Sequence, residues 1–222
     1  MSRSIFSVTC TLGRVRAEWA YDFSSQMPPM GRKMMVAFLT DMTTSDARNT
    51  GMAMAQFSDA QYVMFWDDDI LPKDNEAIAK MVTAMDQHPE IDVLGGVYPC
   101  RRQVCDPIVV KDGPYGGVWW GWQDGNIHPV YLTGTGFTLI RLERLPLPES
   151  YQINVPGEGR VAARRYFGET QQWQSDDFYF ANLIAEAGLK WCVDGRIVCD
   201  QIDLDGKRYS VEQAKAPALM EA

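Results

Sequence analysis

Through the first half of the chain, short continuous apolar runs alternate with stretches in which apolar residues recur at helical spacing. Ser4 to Cys10 is a β-type run, and Val15 to Ser25 reads as a helix ended by Pro28-Pro29. Met34 to Thr40 (M-M-V-A-F-L-T) reads as a second, buried strand, and Asp41 to Thr44 as the polar turn after it. Ser45 then stands as the N-cap of a helix that begins at Asp46 and reaches about Phe57. Tyr62 to Trp66 is an apolar run of the kind found in strands covered on both faces, and Val and the aromatics favour the pleated backbone. Ile78, Met81, Val82 and Met85 recur at i, i+3, i+4 and i+7, an amphipathic helix ending near Gln87-His88-Pro89 with His88 as a C-terminal cap. Ile91 to Tyr98 is the next strand, and Gly95-Gly96 inside it mark a close approach to the backbone. Such alternation is the signature of a parallel sheet with crossover helices.

From Pro107 the pattern changes. Short β-like pieces at Ile108 to Lys111, Gly117 to Trp120, Val130 to Leu132 and Phe137 to Arg141 are separated by Gly, Pro and Asn. Trp119, Trp120 and Trp122 gather among them, to stack on a sugar ring or base or, as is commoner, to pack against the sheet. Leu145 to Pro148 and Val155 to Gly159 read as loops, and Arg160 to Gln174 is a polar, aromatic stretch without a clean period, as lids and recognition surfaces often are. Ser175 reads as the N-cap of a helix with Phe180, Leu183, Ile184 and Ala187 at helical spacing, closed by Gly188. Trp191 to Val193 and Arg196 to Cys199 are the final strand pieces, followed by Asp200-Gln201-Ile202-Asp203, and residues 205–222 read as a loosely held tail.

The sharpest local feature is Q-Y-V-M-F-W-D-D-D-I-L-P, Gln61 to Pro72, where a buried run stops in three aspartates. Asp67, Asp68 and Asp69 would emerge at the carboxyl end of a strand, where open α/β sheets place their ligands. Alternation along an extended chain points Asp67 and Asp69 to one spot. Two converging carboxylates repel unless a hard cation such as Mg²⁺ or Mn²⁺ joins them, leaving coordination positions for a substrate diphosphate. The bland reading is an acidic turn that caps a helix starting near Lys73. Asp176 and Asp177 have a bland reading too, since dipole stabilisation of about 0.3 to 1 kcal/mol each explains acidic residues in a first helical turn. Arg48, a cation near a helix start, opposes the dipole. It is either a surface residue paired with Asp46 or Asp41, or a contact to a bound phosphate or nucleotide.

The chain has 222 residues, 46% hydrophobic and 23% charged, the balance of one globular domain with a large core. A formal charge of -8 argues against a broad basic surface for duplex DNA, leaving only local grooves around Arg101-Arg102 or Arg160 to Arg165. The N-terminus lacks the apolar core of a signal peptide and no stretch reaches the length of a membrane span, so the expected location is cytoplasmic. Five cysteines form no C-x-x-C pair and read as reduced thiols; a zinc site from Cys100, Cys105, Cys192 and Cys199 is the less favoured alternative.

Four segments, S-D-A-R-N, F-W-D-D-D-I-L-P, G-T-G-F-T-L-I-R and S-D-D-F-Y-F-A-N-L-I-A-E-A-G-L-K, resemble the small GT-A glycosyltransferases, especially family-2-like enzymes of phage and bacterial type, over about Ile5 to Ile202. The resemblance implies a single Rossmann-like α/β domain over residues 1–222, its mainly parallel central sheet flanked by helices, with a small antiparallel portion on the acceptor side. Residues 1–110 would bind the nucleotide-sugar and residues 111–204 would carry the acceptor and catalytic half. Asp67 would contact the nucleotide ribose or metal, with Asp68 beside it in the D-x-D motif, and Asp69 would bind the cation that bridges the donor diphosphate. Thr9 and Arg48 would approach the nucleotide, and Gly134 to Gly136 would line the donor sugar. Asp177 falls on the general base of inverting members, with Asp176 on the preceding acidic residue. Where many members place a metal-binding histidine this chain has Gln201, a poor substitute, so the cation would rely on Asp69 with Asp200 or Asp203.

The activity expected from the resemblance is transfer of a sugar from a nucleotide donor, a UDP-sugar, to an acceptor hydroxyl with Mn²⁺ or Mg²⁺. The acceptor would be a glycan, a protein, a lipid-linked intermediate or a modified nucleobase in DNA, and the place of action the host cytoplasm if the chain is phage-encoded. The charge and the lack of a membrane span count mildly against DNA and a purely lipid acceptor. A metal-dependent nucleotidyltransferase or phosphohydrolase would use the same carboxylates and sheet. A GT-A module that binds a nucleotide-sugar or glycan without turnover would also fit Gln201.

Overall fold

The computed structural model describes residues 4–101, 104–155, 159–168 and 175–213. In chain order these form β1 (Ser4–Cys10), α1 (Ala17–Ser25), β2 (Lys33–Leu39), α2 (Thr44–Phe57), β3 (Tyr62–Trp66), β4 (Ile70–Pro72), α3 (Ala77–Gln87), β5 (Val93–Val97), β6 (Val109–Val110), β7 (Ile127–Pro129), β8 (Leu132–Thr133), β9 (Phe137–Arg141), β10 (Ser150–Val155), β11 (Gly159–Arg164), α4 (Asp176–Glu186), β12 (Trp191–Ile202) and β13 (Arg208–Tyr209). The central sheet has the order β13-β12-β5-β9-β3-β1-β2, with β4 and β7 paired to β12. Strands β12, β5, β3, β1 and β2 run one way, and β9 and β13 oppose them, so the sheet is mainly parallel with helices on both faces.

Side-chain alternation divides the core cleanly. Val63 and Phe65 of β3 join Met52 of α2 and Phe180 and Ile184 of α4 on one face. Tyr62, Met64 and Trp66 join Trp19 of α1 and Met81 and Met85 of α3 on the other. Both layers are therefore written into one five-residue run, and truncating an aromatic such as Trp66, fully buried, costs about 3 to 5 kcal/mol.

Several expected elements differ in position or kind. The Met34 to Thr40 run is the sheet's edge, not a buried strand: Val36 and Phe38 are exposed, because a continuous apolar run does not reveal where in a sheet it lies. Thr43, not Ser45, caps α2 by accepting from the Asp46 N–H at 3.2 Å, which moves Arg48 into the second turn. No helix starts near Lys73; the chain first makes β4 against β12, and α3 begins at Ala77. Ser175 precedes α4 without a side-chain cap bond.

Ser150–Val155 and Gly159–Arg164 pair antiparallel as β10 and β11, where Arg160 onward reads as an aperiodic stretch; residues 156–158 of the expected loop lie outside the described residues. The two final strand pieces are one strand, β12, irregular between Val193 and Val198. The supposed loose tail pairs at Arg208–Tyr209 with β12 and buries Tyr209, Ser210 and Val211. Arg102, residues 169–174 and residues 214–222 lie outside the described residues. The approach expected at Gly95-Gly96 is internal: a Cβ on Gly95 would lie 2.0 Å from Thr133 Oγ1, and one on Gly96 3.0 Å from an Ile197 methyl. Trp122 is buried in the core with Trp119 and Trp120 packed against it.

Candidate active site

Strands β1, β2 and β3 end together, tied by the Thr11 N–H to Leu39 O bond of 3.0 Å, and a cleft of about 650 Å³ opens beyond them. Its walls include Cys10, Thr11, Leu39, Met42, the aspartate triplet and Arg101. Asp67 to Asp69 form a turn between β3 and β4 rather than an extended continuation; Asp67 N–H donates to Gly136 O at 2.8 Å and Ile70 N–H to Asp67 O at 3.2 Å.

Arg48 is the centre of the charge arrangement. Its residue is 4% exposed, and its guanidinium lies 2.9 Å from Asp67 Oδ2, 2.6 Å from Asp176 Oδ2 and 3.1 Å from Asp177 Oδ1, above the Phe167 ring. It is thus neither a surface residue nor a partner of Asp41 or Asp46. Burial would lower its pKa, but the carboxylates of Asp67, Asp177 and Asp176 raise it well above the usual range. Burial pushes Asp67 up to about 7, opposed by Arg48 and assisted by Asp69, Asp177 and Asp176. Asp176 is raised by burial against the pull of Arg48. Burial, then Asp67, pushes the Cys10 thiol up to about 12, which keeps it protonated and a poor nucleophile.

Each aspartate of the triplet has partners of its own. Asp68 accepts from Thr11 Oγ1 at 2.6 Å, while Arg16 joins Asp68 O at 3.3 Å to Asp203 O at 2.9 Å. Asp69 pairs with Arg101 at 3.0 Å and accepts from Gln201 Nε2 at 3.2 Å. Burial raises the Asp69 pKa against Arg101 and Gln201. Two buried oxygens here, Asp67 Oδ1 and Gln201 Oε1, have no hydrogen-bond partner. Among the described residues no group of three His, Cys, Asp or Glu side chains is arranged for a metal, so neither the four-cysteine zinc site nor an all-carboxylate set forms. The oxygen donors of Asp67, Asp69 and Gln201 are nonetheless the chemistry that suits Mg²⁺ or Mn²⁺.

Other expected residues lie differently. Thr9 is fully buried and faces no cleft; its neighbours Cys10 and Thr11 line the wall instead. Asp200 faces Lys73 at 3.3 Å and Arg208 at 3.7 Å, away from the triplet, because Gln201 takes the inward position on β12. The Asp203 carboxylate organises its own turn through the N–H groups of Asp205 and Lys207 and the Tyr209 hydroxyl. Gly134 and Gly136 make room for Tyr98, whose hydroxyl accepts from Gly136 N–H at 2.8 Å; a Cβ on Gly136 would also lie 3.0 Å from Asp67 Oδ2. Thr135, between them, holds Asp177 Oδ1 with its N–H at 3.2 Å and with its hydroxyl. The sequence gives no sign of Thr11, Arg16 or Tyr98 as site residues, and places Arg101 only in a local basic groove and Thr135 only within the Gly134 to Gly136 segment. The place of Thr135 inside G-T-G, a segment already singled out, was the available signal.

The profile of a family described as Glycosyl transferase family 2 matches residues 41–106, which contain Arg48, the aspartate triplet and Arg101. No curated protein sequence matches the chain. Among solved structures, the A197 protein from STIV aligns at 16% identity over 99% of this chain and 98% of its own, with a TM-score of 0.58. S. aureus TarS 1-349, solved in complex with UDP-GlcNAc, aligns at 14% identity over 87% of this chain and 56% of its own, with a TM-score of 0.50. The fold likeness and the family segment, which spans the Arg48–Asp67 pair, agree: residues 41–106 are similar to the family 2 glycosyl transferases, and the chain shares the fold of the A197 protein and TarS.

Proposed function

We propose that the chain moves a sugar from a nucleotide-sugar donor, a UDP-sugar, to an acceptor hydroxyl with inversion at the anomeric carbon. Residues 1–110 would hold the donor and residues 111–204 the acceptor side. The observation that supports this most is the Asp177 carboxylate. Its Oδ1 receives Arg48 at 3.1 Å and both donors of Thr135, while no hydrogen bond from the described residues reaches Oδ2. A carboxylate anchored by one oxygen and open at the other suits a general base.

In this reading Asp177 Oδ2 takes the proton of the acceptor hydroxyl as the acceptor oxygen bonds the anomeric carbon. The bond from that carbon to the donor diphosphate breaks, and its electron pair leaves with the nucleoside diphosphate. Asp176, 2.6 Å from Arg48, positions the arginine rather than moving a proton. Asp67 and Asp69 would hold a divalent cation, Mg²⁺ or Mn²⁺, which when bound supplies charge neutralisation to the leaving diphosphate. Arg14, Arg16 and Arg101 line the same cleft and match phosphate oxygens in charge. TarS in complex with UDP-GlcNAc makes a UDP-sugar the first donor to try. The acceptor classes to try are glycans, proteins and modified nucleobases in DNA.

Incubation with UDP-sugars and an acceptor panel tests the reading. UDP release, an inverted product and a loss of about 10²- to 10⁴-fold in Asp177→Asn support it; a retained anomeric configuration or release of pyrophosphate overturns it. A second reading, donor binding without turnover, is favoured by the Arg101–Asp69 pair of 3.0 Å in the place a cation would take. Bound UDP with no release across the panel selects that reading.

A further inference from the structure

We propose that β2 is a dimerisation edge: two copies of the chain pair through it antiparallel about a two-fold axis and join their central sheets into one. The inference is independent of the proposed sugar transfer.

Strand β2 is paired on one side only, parallel to β1, and closes its end of the sheet; β13, at the other end, has two residues. A seven-residue edge offers a row of backbone N–H and C=O groups to another strand, and folded proteins ordinarily blunt such an edge with Pro, a bulge or a charge in mid-strand. None of these is present: β2 reads K-M-M-V-A-F-L, pairs with β1 in unbroken register, and has its one charge at the first position. In mid-strand stand Val36, 42% exposed, and Phe38, 50% exposed. They share one sheet face, on which Trp19 and Phe23 of α1 cover part of Phe38 at ring-centroid distances of 6.0 Å.

The occupant is a second copy because the edge is complementary to itself. In an antiparallel pair centred on Ala37, Val36 of each copy lies opposite Phe38 of the other, an aromatic and β-branched pairing that sheets favour. The same register sets Lys33 against Asp41 twice, once at each end of the paired strands. Lys33 is exposed and has no ionic partner among the described residues; Asp41, exposed in the turn just past β2, accepts from the Thr40 hydroxyl at 3.2 Å. Centring on Val36 instead sets Lys33 against Leu39 and forfeits both ion pairs, so charge selects the register. An isologous contact of this kind closes at two copies. Because the paired strands run opposite ways, the two clefts open at opposite ends of the joined sheet.

The test is sedimentation equilibrium of the full chain from about 1 µM to about 1 mM, a span that covers weak and moderate dimers. The wild type is expected to dimerise within it and to form nothing larger. Val36→Lys, Lys33→Asp and Asp41→Lys change exposed positions and are each first checked for a wild-type melt. Val36→Lys is expected to weaken the dimer by putting a charge in mid-edge. Lys33→Asp and Asp41→Lys are each expected to raise its Kd at least about fivefold, since either turns two attractive pairs into two repulsive ones. Mixing these two variants is expected to restore association, because opposite charges then face each other at both ends; that result stands even if Val36→Lys fails to fold. A wild type that stays monomeric throughout or grows beyond a dimer, a dimer that a folded Val36→Lys leaves unchanged, or a mixture that associates no better than its components overturns the proposal.

Discussion

Arg48 Nη2 lies 2.9 Å from Asp67 Oδ2, and through that bond the turn after β3 is joined to the first turn of α4, because the same guanidinium holds Asp176 and Asp177. The first and second halves of the chain meet at one buried cation. Removing it leaves three carboxylates without their counter-charge, and breaking a buried pair in this way costs about 3 to 5 kcal/mol. Arg48→Ala is therefore expected to lower unfolding free energy by about that amount at neutral pH, as read from urea denaturation. Arg48→Lys, with one ammonium in place of a fork, is expected to recover only part of it.

The Asp67 carboxyl gives a pH signature. Its folded pKa, about 7, lies above its ordinary value of 3.8, so between those limits the native state holds a proton that the unfolded chain has released. Stability from this group is full below about pH 4 and falls as pH rises through about 7 in the metal-free protein. Burial-raised Asp69 and Asp176 act in the same direction. Denaturation curves in EDTA from pH 4.5 to 7.5 should show the decline for wild type and a shallower one for Asp67→Asn. Equal slopes would contradict the assignment.

Thr135 carries no charge and needs none to matter, since both its donors aim at Asp177 Oδ1. Hydrogen bonds to a charged group contribute about 1.5 to 3 kcal/mol. Thr135→Val keeps the shape and removes the hydroxyl, so turnover is expected to fall at least about tenfold while UDP affinity is unchanged. Steady-state kinetics and calorimetry separate the two effects.

Gly134 is required by its neighbour. A Cβ there would lie 2.0 Å from the Tyr98 hydroxyl and 2.6 Å from its ring carbon, in a closed core. Gly134→Ala is expected to cost about 1 to 3 kcal/mol by overpacking, seen as a lowered melting temperature. Adding Tyr98→Phe should relieve only part of it, because the ring carbon still clashes.

What the sequence revealed was local chemistry. The passage from Trp66 to Asp67 marks where a strand leaves the core, and both facts lie in adjacent residues. Side-chain alternation in Tyr62 to Trp66 likewise fixes which residues meet each helix layer. The partners of Arg48 were hidden because they lie 19, 128 and 129 positions away. Strand β2 lies at the edge although its run is apolar, because apolar content alone does not distinguish an edge from a centre. The β10–β11 pair is not legible in the sequence because most of its residues are exposed and no alternation marks an inner face. Thr9, which the resemblance places near the nucleotide, is fully buried, while its neighbours Cys10 and Thr11 line the cleft.

The most direct test of the central claim, that the cleft beside Asp67 to Asp69 holds a nucleotide-sugar, is calorimetric titration of UDP with Mn²⁺ and then with EDTA, on the wild type and on Asp69→Ala. The account predicts UDP binding that needs Mn²⁺ and is lost in Asp69→Ala. Failure of UDP and GDP to bind under either condition would contradict it.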